Sequence, residues 1–413
     1  MAIVGSGGTF VFAMAENVYG TYANPTAEVA AEVVSNAQVG EYVVIASLGN
    51  TSSTEWNTIA GTTNVTYGVG DGFVVQNTIT ADSGEGTVTI EGFKFAIRPG
   101  SIPSKSQQRI HARTLGGIRD VSPSYVSKSS VAGGYSFYIP TNVNLGNNLH
   151  AMAGVHNSSL VDIPSYSIHH PFLTTSVDTN FDKGFKYTGM MATQYTLSLP
   201  NADSLLESSI SFIGKDQEIN LDDEDFDSNN IHKAGQETYY ESWNSFISLD
   251  PSNTYDGWDT EQPIELYNFT VTVNNNLIAP SFIDSNLTAI NSKPNLTGRS
   301  VTGSFTMCYQ DSVNTTDTAS SLKLLNQIFS DNLITWNMKI RCYSSKQTSL
   351  NANKTSELLI SMPRVILEQS GTPNSISNGL FQIPFSFRAI GDSANPLGTS
   401  TANSEIIISQ SMV

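Results

Sequence analysis

The sequence predicts a mainly β fold, an antiparallel β-sandwich or barrel with one flanking helix. Residues 267–273, 334–342 and 381–387 alternate between apolar and polar side chains, and the polar positions are mostly uncharged. Successive side chains of a strand point to opposite faces, so this period of two predicts strands that pack on one side only. Antiparallel sheets commonly have such a structure.

The composition favours a protein that works through its surfaces. The chain has 413 residues, enough for two or three domains or one elaborate β assembly unit. Only 14% of the residues are charged, and Ser, Thr and Asn take their place. Few surface charges favour packing against copies of the same chain. Secreted β proteins also have Thr-rich strands, so composition alone leaves both classes open.

The net charge argues against a protein that binds nucleic acids tightly. The chain has 20 Lys and Arg against 37 Asp and Glu, a formal charge of -17. A nucleic-acid-binding protein needs a basic surface to replace the counterions of the phosphates. An acidic wall instead repels phosphates and a neutral wall does not attract them, so DNA would pass along either without adhering.

From the sequence we expect no export signal, membrane span or disulfide framework. Its first residues lack the basic start and long apolar run of a signal peptide, and no stretch is apolar enough to cross a bilayer. We therefore expect no membrane insertion by this chain. Cys308 and Cys342 lie in different predicted strands. Free thiols are the favoured interpretation, and a disulfide between them stays open.

Residues 1–38 are predicted to form an N-terminal arm, with an apolar strand at 9–15. Residues 39–99 contain further strands. Residues 100–166 are rich in Ser, Gly and Asn and are predicted to form an irregular insertion or lobe. The aromatic side chains of the arm are candidates for contacts between subunits; they are Phe10, Phe12, Tyr19 and Tyr22.

Residues 167–392 are predicted to form the main β domain. Strands at 185–199 and 206–212 flank a polar turn, which predicts a hairpin. The domain includes an acidic loop at 221–230. Apolar residues at helical spacing predict one helix at 319–329.

Residues 393–413 are predicted to form a C-terminal arm. Its Ile406 and Ile408 are further candidates for contacts between subunits, because a short terminal strand can pair with the open edge of a neighbour.

The sequence indicates no catalytic or cofactor chemistry. It contains no nucleophile elbow, P-loop or zinc-protease motif. His169 and His170 are adjacent and point to opposite faces of a strand, so we expect no metal site there. The acidic loop at 221–230 lacks the spacing of a calcium loop and is better explained as solvated. Trp243, Tyr255 and Trp258 suggest a glycan site, although loop packing or a subunit contact is favoured.

Several segments, in order, resemble the tail tube proteins of tailed bacteriophages. Residues 15–21 resemble the Glu-x-x-Tyr-Gly-Thr start of such proteins, and residues 360–365 resemble their strand with a Pro-x-Val ending. Other segments that carry the resemblance are 171–217, 267–276, 298–305 and the predicted helix. Residues 100–166 remain unmatched.

The resemblance implies a non-enzymatic virion protein that forms rings, usually hexamers, stacked into a hollow tail tube. Sheets of neighbouring subunits would join into one barrel around a lumen. The implied partners are the tape-measure protein, the tail terminator, distal tail or baseplate proteins, and double-stranded DNA in transit. Assembly would take place in the host cytoplasm. Candidate residues for the lumen face are Thr193, Asn268, Thr270, Thr272, Thr302 and Ser304.

Three alternatives remain open at this point. Some members of the wider group carry two tube folds per chain and form three-subunit rings. The sequence shows no clear match between residues 185–212 and 267–309, so we expect six single units. A tail-tip or secreted glycan-binding protein would use the Trp243–Trp258 loop. A tail-associated hydrolase would use the carboxylates of the acidic loop.

Overall fold

The chain folds almost entirely into antiparallel strands. A computed structural model describes residues 10–23, 31–37, 42–60, 66–69, 71–75, 77, 84–90, 92–100, 102–111, 124–156, 163–171, 184–201, 203–220, 238–242, 245–250, 266–278, 293–308, 335–344, 356–369, 374–375, 381–390 and 405–412. Its helices are a 3-10 turn (Val34–Asn36), α1 (Ser53–Ala60) and α2 (Val143–Met152).

The strands fall into two series along the chain. The first series is β1 (Phe10–Ala15), β2 (Glu32–Val33), β3 (Tyr42–Gly49), β4 (Gly72–Val74), β5 (Glu85–Ile90), β6 (Phe93–Ala96), β7 (Ser104–His111), β8 (Ser124–Tyr138), β9 (Tyr166–Pro171), β10 (Gly184–Leu199), β11 (Glu207–Gly214) and β12 (Asp216–Asn220). The second series is β13 (Ser245–Asp250), β14 (Leu266–Asn274), β15 (Leu277–Ile278), β16 (Asn295–Leu296), β17 (Ser300–Cys308), β18 (Trp336–Tyr343), β19 (Ser356–Gln369), β20 (Asn374–Ser375), β21 (Phe381–Ala389) and β22 (Ile407–Met412).

A small sheet with its own core lies within the first series. Its strands have the order β2-β5-β3-β4, and α1 buries Trp56 and Ile59 in its core. A reciprocal cap begins α1, because the Ser52 amide donates to Glu55 at 2.7 Å and the Glu55 amide donates to the Ser52 hydroxyl at 3.3 Å. In the described part of the chain, no helix has the length and apolar character needed to cross a bilayer.

Sixteen of the described strands form one large sheet, and its pairing order occurs twice. In the N-terminal unit (β1, β7–β12 and α2), β1 pairs with β9, β9 with β10, β10 with β11 and β12, β11 with β8, and β8 with β7. In the C-terminal unit (β13, β14 and β17–β22), β13 pairs with β18, β18 with β19, β19 with β21 and β22, β21 with β17, and β17 with β14. The order along the chain is the same in both.

One long strand in each unit changes partners along its length. The first half of β10 pairs with β9 and β12, and its second half pairs with β11 and β14. The first half of β19 pairs with β18 and β22, and its second half pairs with β21. Both strands have a register shift where the change occurs, between Tyr187 and Met190 and between Met362 and Val365. Such bulges bend a strand, and each one here marks the point where the strand exchanges one set of partners for another.

One hydrophobic cluster contains buried residues of both units. Phe305 and Phe385 stack with ring centroids 5.3 Å apart. Gly303 lies beside them, and a Cβ atom there would meet the Phe387 ring at 2.2 Å and the Thr270 carbonyl at 2.3 Å. The glycine therefore provides the space that the aromatic ring fills.

The predicted fold class and the predicted hairpin at 185–212 are confirmed. The prediction of an irregular segment at 100–166 is wrong for the described residues, which form β7, β8 and α2. Small residues in β8 obscured the alternation, since the positions between its buried Val131, Tyr135 and Phe137 include two glycines. The predicted helix at 319–329, the acidic loop 221–230 and the Trp243–Trp258 loop lie outside the described residues.

Both predicted arms differ from the sequence interpretation where they are described. Phe10–Ala15 forms β1, which lies between β6 and β9 of the same chain. Ile407–Met412 forms β22, which pairs with β19 and contacts α2. The apolar alternation of these segments fills the subunit's own core, so a truncation that removes Phe10–Ala15 removes a core strand.

We predict that Gly303→Ala destabilises the fold by about 1–3 kcal/mol, because the added methyl group overlaps the Phe387 ring and the Thr270 carbonyl. Urea unfolding at pH 7 measures this. Gly298→Ala is the matched control, since a Cβ there meets nothing within 4 Å. Equal unfolding midpoints for the two variants would contradict the packing described.

Candidate assembly surface

Uncharged polar side chains form rows across one face of the large sheet. We call this the hydroxyl face, defined by the outward residues of β11, β10, β14, β17 and β21. The strand register aligns one row as Ser198, Thr270, Ser304 and Ser386. It aligns a second row as Ser209, Thr196, Thr272 and Thr302. Each of these side chains is half-buried or exposed.

The opposite face of the same strands is apolar and buried. Phe269, Val271 and Val273 alternate with the hydroxyl residues of β14 and are at most 1% exposed. Phe305 and Phe385 occupy the matching positions in β17 and β21 and are fully buried. A register slip of one residue would exchange the two faces, so this core fixes the hydroxyl face outward.

Charge occurs at the margins of the hydroxyl face. Glu207, beside Ser198, pairs with Arg98 at 2.7 Å. At the other side, Glu368 follows Ser386 and Arg388 follows Thr302 along the rows. The interior of the face therefore presents hydroxyl groups without fixed charge, which offer phosphates neither strong attraction nor strong repulsion.

Five of the six predicted lumen residues lie on this face; they are Asn268, Thr270, Thr272, Thr302 and Ser304. Thr193 does not share their rows. It lies at a register shift between Ala192 and Gln194, where its hydroxyl donates to the Ser211 carbonyl at 3.1 Å. Gln194 is the exposed residue there. The assignment of all six residues to a lumen stays a prediction.

The six residues predicted for subunit contacts divide into two groups. Phe12, Ile406 and Ile408 are fully buried within their own subunit, so their side chains contribute to its core. Phe10, Tyr19 and Tyr22 are half-buried. Lys94 Nζ lies 3.8 Å from the Phe10 ring centroid, and Lys186 Nζ lies 5.0 Å from that of Tyr22. The role of Phe10, Tyr19 and Tyr22 in subunit contacts stays a prediction.

The Glu16 carboxylate joins the N-terminal turn to the large sheet. It accepts hydrogen bonds from the Gly20 amide at 2.7 Å, the Gly189 amide at 2.8 Å and the Ser167 hydroxyl at 2.8 Å. The side chain is 9% exposed. Such charge-assisted bonds are stronger than neutral ones. The Glu-x-x-Tyr-Gly-Thr motif thus connects residues 16–21 to β9 and β10, a role that sequence reasoning missed.

Close packing around this turn explains the tyrosine and the glycine of the motif, and also Gly189 in β10. Gly189 has φ +66, and a Cβ atom there would lie 2.9 Å from the Tyr19 ring. Lys215 lies across Gly20, which has φ +71, and Lys215 Nζ donates to the Gly20 carbonyl at 3.4 Å. Burial raises the pKa of the Tyr19 hydroxyl, and the nearby Glu16 charge adds to this.

Two buried histidines lie where α2 meets β22. His156 Nδ1–H donates to the Ile408 carbonyl at 3.1 Å. His150 Nδ1 lies 3.0 Å from the Tyr195 hydroxyl. Burial lowers the pKa of His156 to about 4, and the bond to Ile408 opposes this only in part. The pKa of His150 is also lowered, mainly by burial and to a smaller extent by repulsion from His156.

The side-chain amide of Asn147 reinforces the same junction. The backbone N–H of Gln410 donates to Asn147 Oδ1 at 2.8 Å, and Asn147 Nδ2 donates to the backbone carbonyl of Gln410 at 3.2 Å. Gly146 permits this approach, because a Cβ there would overlap the Gln410 side chain. Among the described residues, no cluster of His, Cys, Asp or Glu could hold a metal ion.

These observations define a class: an antiparallel β subunit with a broad hydroxyl face. The family model for phage tail tube proteins matches residues 5–389. The chain therefore belongs to the phage tail tube protein family and is a structural protein of the virion tail. A search of curated proteins returned no match.

We predict that Glu16→Gln destabilises the fold by about 1–3 kcal/mol, because the NH2 group of glutamine cannot accept a hydrogen bond. The variant would lose either the bond from the Gly20 amide to Oε2 or the bonds from the Gly189 amide and the Ser167 hydroxyl to Oε1. Urea unfolding at pH 7 gives the free energy. Glu218→Gln, at an exposed position in β12, is the control and should change stability by less than about 0.5 kcal/mol. An equal effect of the two substitutions would refute the role of Glu16.

We predict that the wild-type chain loses stability as the pH falls from 6.5 toward 4. The pKa of His156 is lowered to about 4 in the folded chain, so the unfolded chain takes up a proton first. The full loss from this residue is about 3 kcal/mol, at 1.36 kcal/mol per pKa unit. The contribution is fully present above pH 6.5.

The variant His156→Asn tests this dependence, because an amide can still donate to the Ile408 carbonyl but does not titrate. Denaturant unfolding of both chains at pH 7 and pH 5 should show a smaller loss for the variant. The carboxylates remain in both chains, so their contributions cancel in the comparison. The variant also removes the part of the His150 pKa shift that His156 causes, and this change makes the loss smaller still. Identical losses would show that His156 does not control this dependence.

Proposed function

We propose that this chain polymerises as stacked rings into the hollow tail tube, with the hydroxyl face lining the lumen. The observation that carries the proposal is the alignment of Ser and Thr in rows across five adjacent strands. The buried apolar face on the other side of the strands already has its partner in the subunit core. The hydroxyl face has none within the described core, which leaves it for solvent or a passing polymer.

The neutral interior of this face suits passage of double-stranded DNA. A basic wall would bind the phosphates and retard movement, because each neutralised phosphate releases counterions. Hydroxyl groups form weak, exchangeable hydrogen bonds to water instead. The net charge of -17 adds a general repulsion of polyanions. The same lumen would house the tape-measure protein during assembly.

The remaining partners follow from the place of a tube in the tail. The two ends of the tube would contact a tail terminator and a distal tail or baseplate protein. Assembly would take place in the host cytoplasm, with six tube folds around each ring. The proposed role is structural and non-enzymatic. Phe10, Tyr19 and Tyr22 are the proposed contacts between subunits, because their rings are partly exposed at the N-terminal turn and at β1.

We predict that Thr272→Lys leaves tube formation intact but slows DNA release from virions several-fold at low ionic strength. The added ammonium would face the lumen and attract phosphates, and salt would screen this attraction. The measurements are negative-stain microscopy of the purified protein and the rate of DNA release at two salt concentrations.

Two control variants accompany this test. Thr272→Glu places the opposite charge at the same position, and Ser53→Lys adds the ammonium at an exposed position of α1. Neither should slow release. If Thr272→Lys virions release DNA at the wild-type rate in low salt, Thr272 does not face the lumen. If the purified wild-type chain forms no rings or tubes, the structural role itself is contradicted.

A further inference from the structure

The two units of the large sheet match in residues as well as in topology. Inward positions on β8 and β17 carry the same pattern of aliphatic, glycine, aromatic and large apolar residues; they are Val131, Gly133, Tyr135 and Phe137, and Val301, Gly303, Phe305 and Met307. Phe212 pairs with Gly133, and Phe387 pairs with Gly303. The fold is therefore an internal duplication, which the notably different intervening sequences concealed.

The two units are joined inside the chain by one strand pair. The second half of β10, the long strand of the N-terminal unit, pairs with β14, the first hairpin strand of the C-terminal unit. Gln194 lies opposite Asn274, and Thr196 lies opposite Thr272. This join carries the hydroxyl face from one unit to the next without interruption.

Each of the two strands at this join has an equivalent in the other unit. The second half of β19, continued by β20, corresponds to β10, since both pair with the equivalent strands β21 and β11. β7 corresponds to β14, since they pair with the equivalent strands β8 and β17. Among the described residues, β7 and β20 each pair on one side only.

We propose that the β19–β20 edge of one copy pairs with β7 of the next copy, as β10 pairs with β14 inside the chain. Because each chain carries two units, three chains close a ring of six. The proposal rests on the ring of the proposed function and specifies its interface and its number of chains. It replaces the expectation of six single-unit chains.

The duplication also gives the register of the interface on the β7 side. Ser106 pairs with Ser130 in β8, and Asn274 pairs with Ser300 in β17. Matching Val131 to Val301 makes Ser130 and Ser300 equivalent. Ser106 therefore takes the place of Asn274.

The register on the β19 side of the interface is derived in the same way. Gln194 pairs with Ser211 in β11, and Glu368 pairs with Ser386 in β21. Matching Phe212 to Phe387 makes these two serines equivalent, so Glu368 takes the place of Gln194. The expected contact sets Ser106 of one copy opposite Glu368 of the next.

A side chain covers the β7 edge in the single chain. The Lys105 amide donates to Gln217 Oε1 at 2.6 Å, and Lys105 Nζ pairs with Asp216 at 2.5 Å. Covered edges resist uncontrolled strand pairing. Pairing with the next copy would replace the Gln217 contact by a backbone hydrogen bond, and it would bring Lys105 close to Glu368 of that copy.

Cross-linking of purified tubes tests the interface and the number of chains together. The variant carries Ser106→Cys and Glu368→Cys, both at exposed positions, and is treated with a short thiol-specific cross-linker. We expect a denaturing gel ladder that ends at three chains. The control pair Ser106→Cys with Ser304→Cys should remain monomeric, because Ser304 lies in the interior of the sheet.

The possible results separate this proposal from the proposed function. Tubes whose ladder continues to six chains, or whose Ser106 and Glu368 variants do not cross-link, overturn the three-chain interface and leave the tube intact. A wild-type chain that forms no rings overturns both. If the double variant fails to assemble, native mass spectrometry of wild-type rings decides between three and six chains.

Discussion

The alternation of side chains along paired antiparallel strands is the constraint on which the whole structure depends. The buried inward residues of β14, β17 and β21 are fixed in a shared apolar core. Each outward residue is fixed by the same register on the hydroxyl face. Since the period is two, neither face can change without the other. The neutral surface is therefore as strongly specified as the core, although it contributes little to stability itself.

Local features adjust the regular strand pairing where the fold bends, packs closely or joins another segment. Bulges in β10 and β19 mark where each strand changes partners, and Gly303 makes room for the Phe387 ring. The Glu16 carboxylate attaches the N-terminal turn through three hydrogen bonds. His156, Asn147 and Gln410 hold β22 against α2. The Glu16 carboxylate and the His156 ring are buried with hydrogen-bond partners, which the low dielectric of the interior makes favourable.

The sequence predicted the strands whose alternation is strong and failed where other signals compete. Leu197, Phe269 and Phe385 lie in regular patterns, so their strands and the hydroxyl face opposite them were predictable. β8 was missed, because glycines interrupt its pattern. α2 was missed although Asn142 caps it and Leu145 and Leu149 lie at helical spacing, because Asn and Gly between them resemble a loop.

Contacts between distant segments were not predictable from one sequence. Nothing in the N-terminal motif shows that Glu16 meets Gly189, which is 173 positions away. The apolar alternation of terminal strands such as β1 and β22 is equally compatible with an arm that pairs with a neighbour and with a core strand of the same subunit. The duplication is visible only after the strand pairs align Gly133 with Gly303, since few residue identities survive elsewhere.

The central claim is that the hydroxyl face forms a continuous wall around a channel. Electron cryomicroscopy of the assembled tube measures this directly, at a resolution that shows side chains. We expect Thr270, Thr272, Thr302 and Ser304 to point into the lumen, and the strand ladder to run unbroken from copy to copy. A map that places these four residues on the outer surface of the tube, or against another protein layer, would contradict the account.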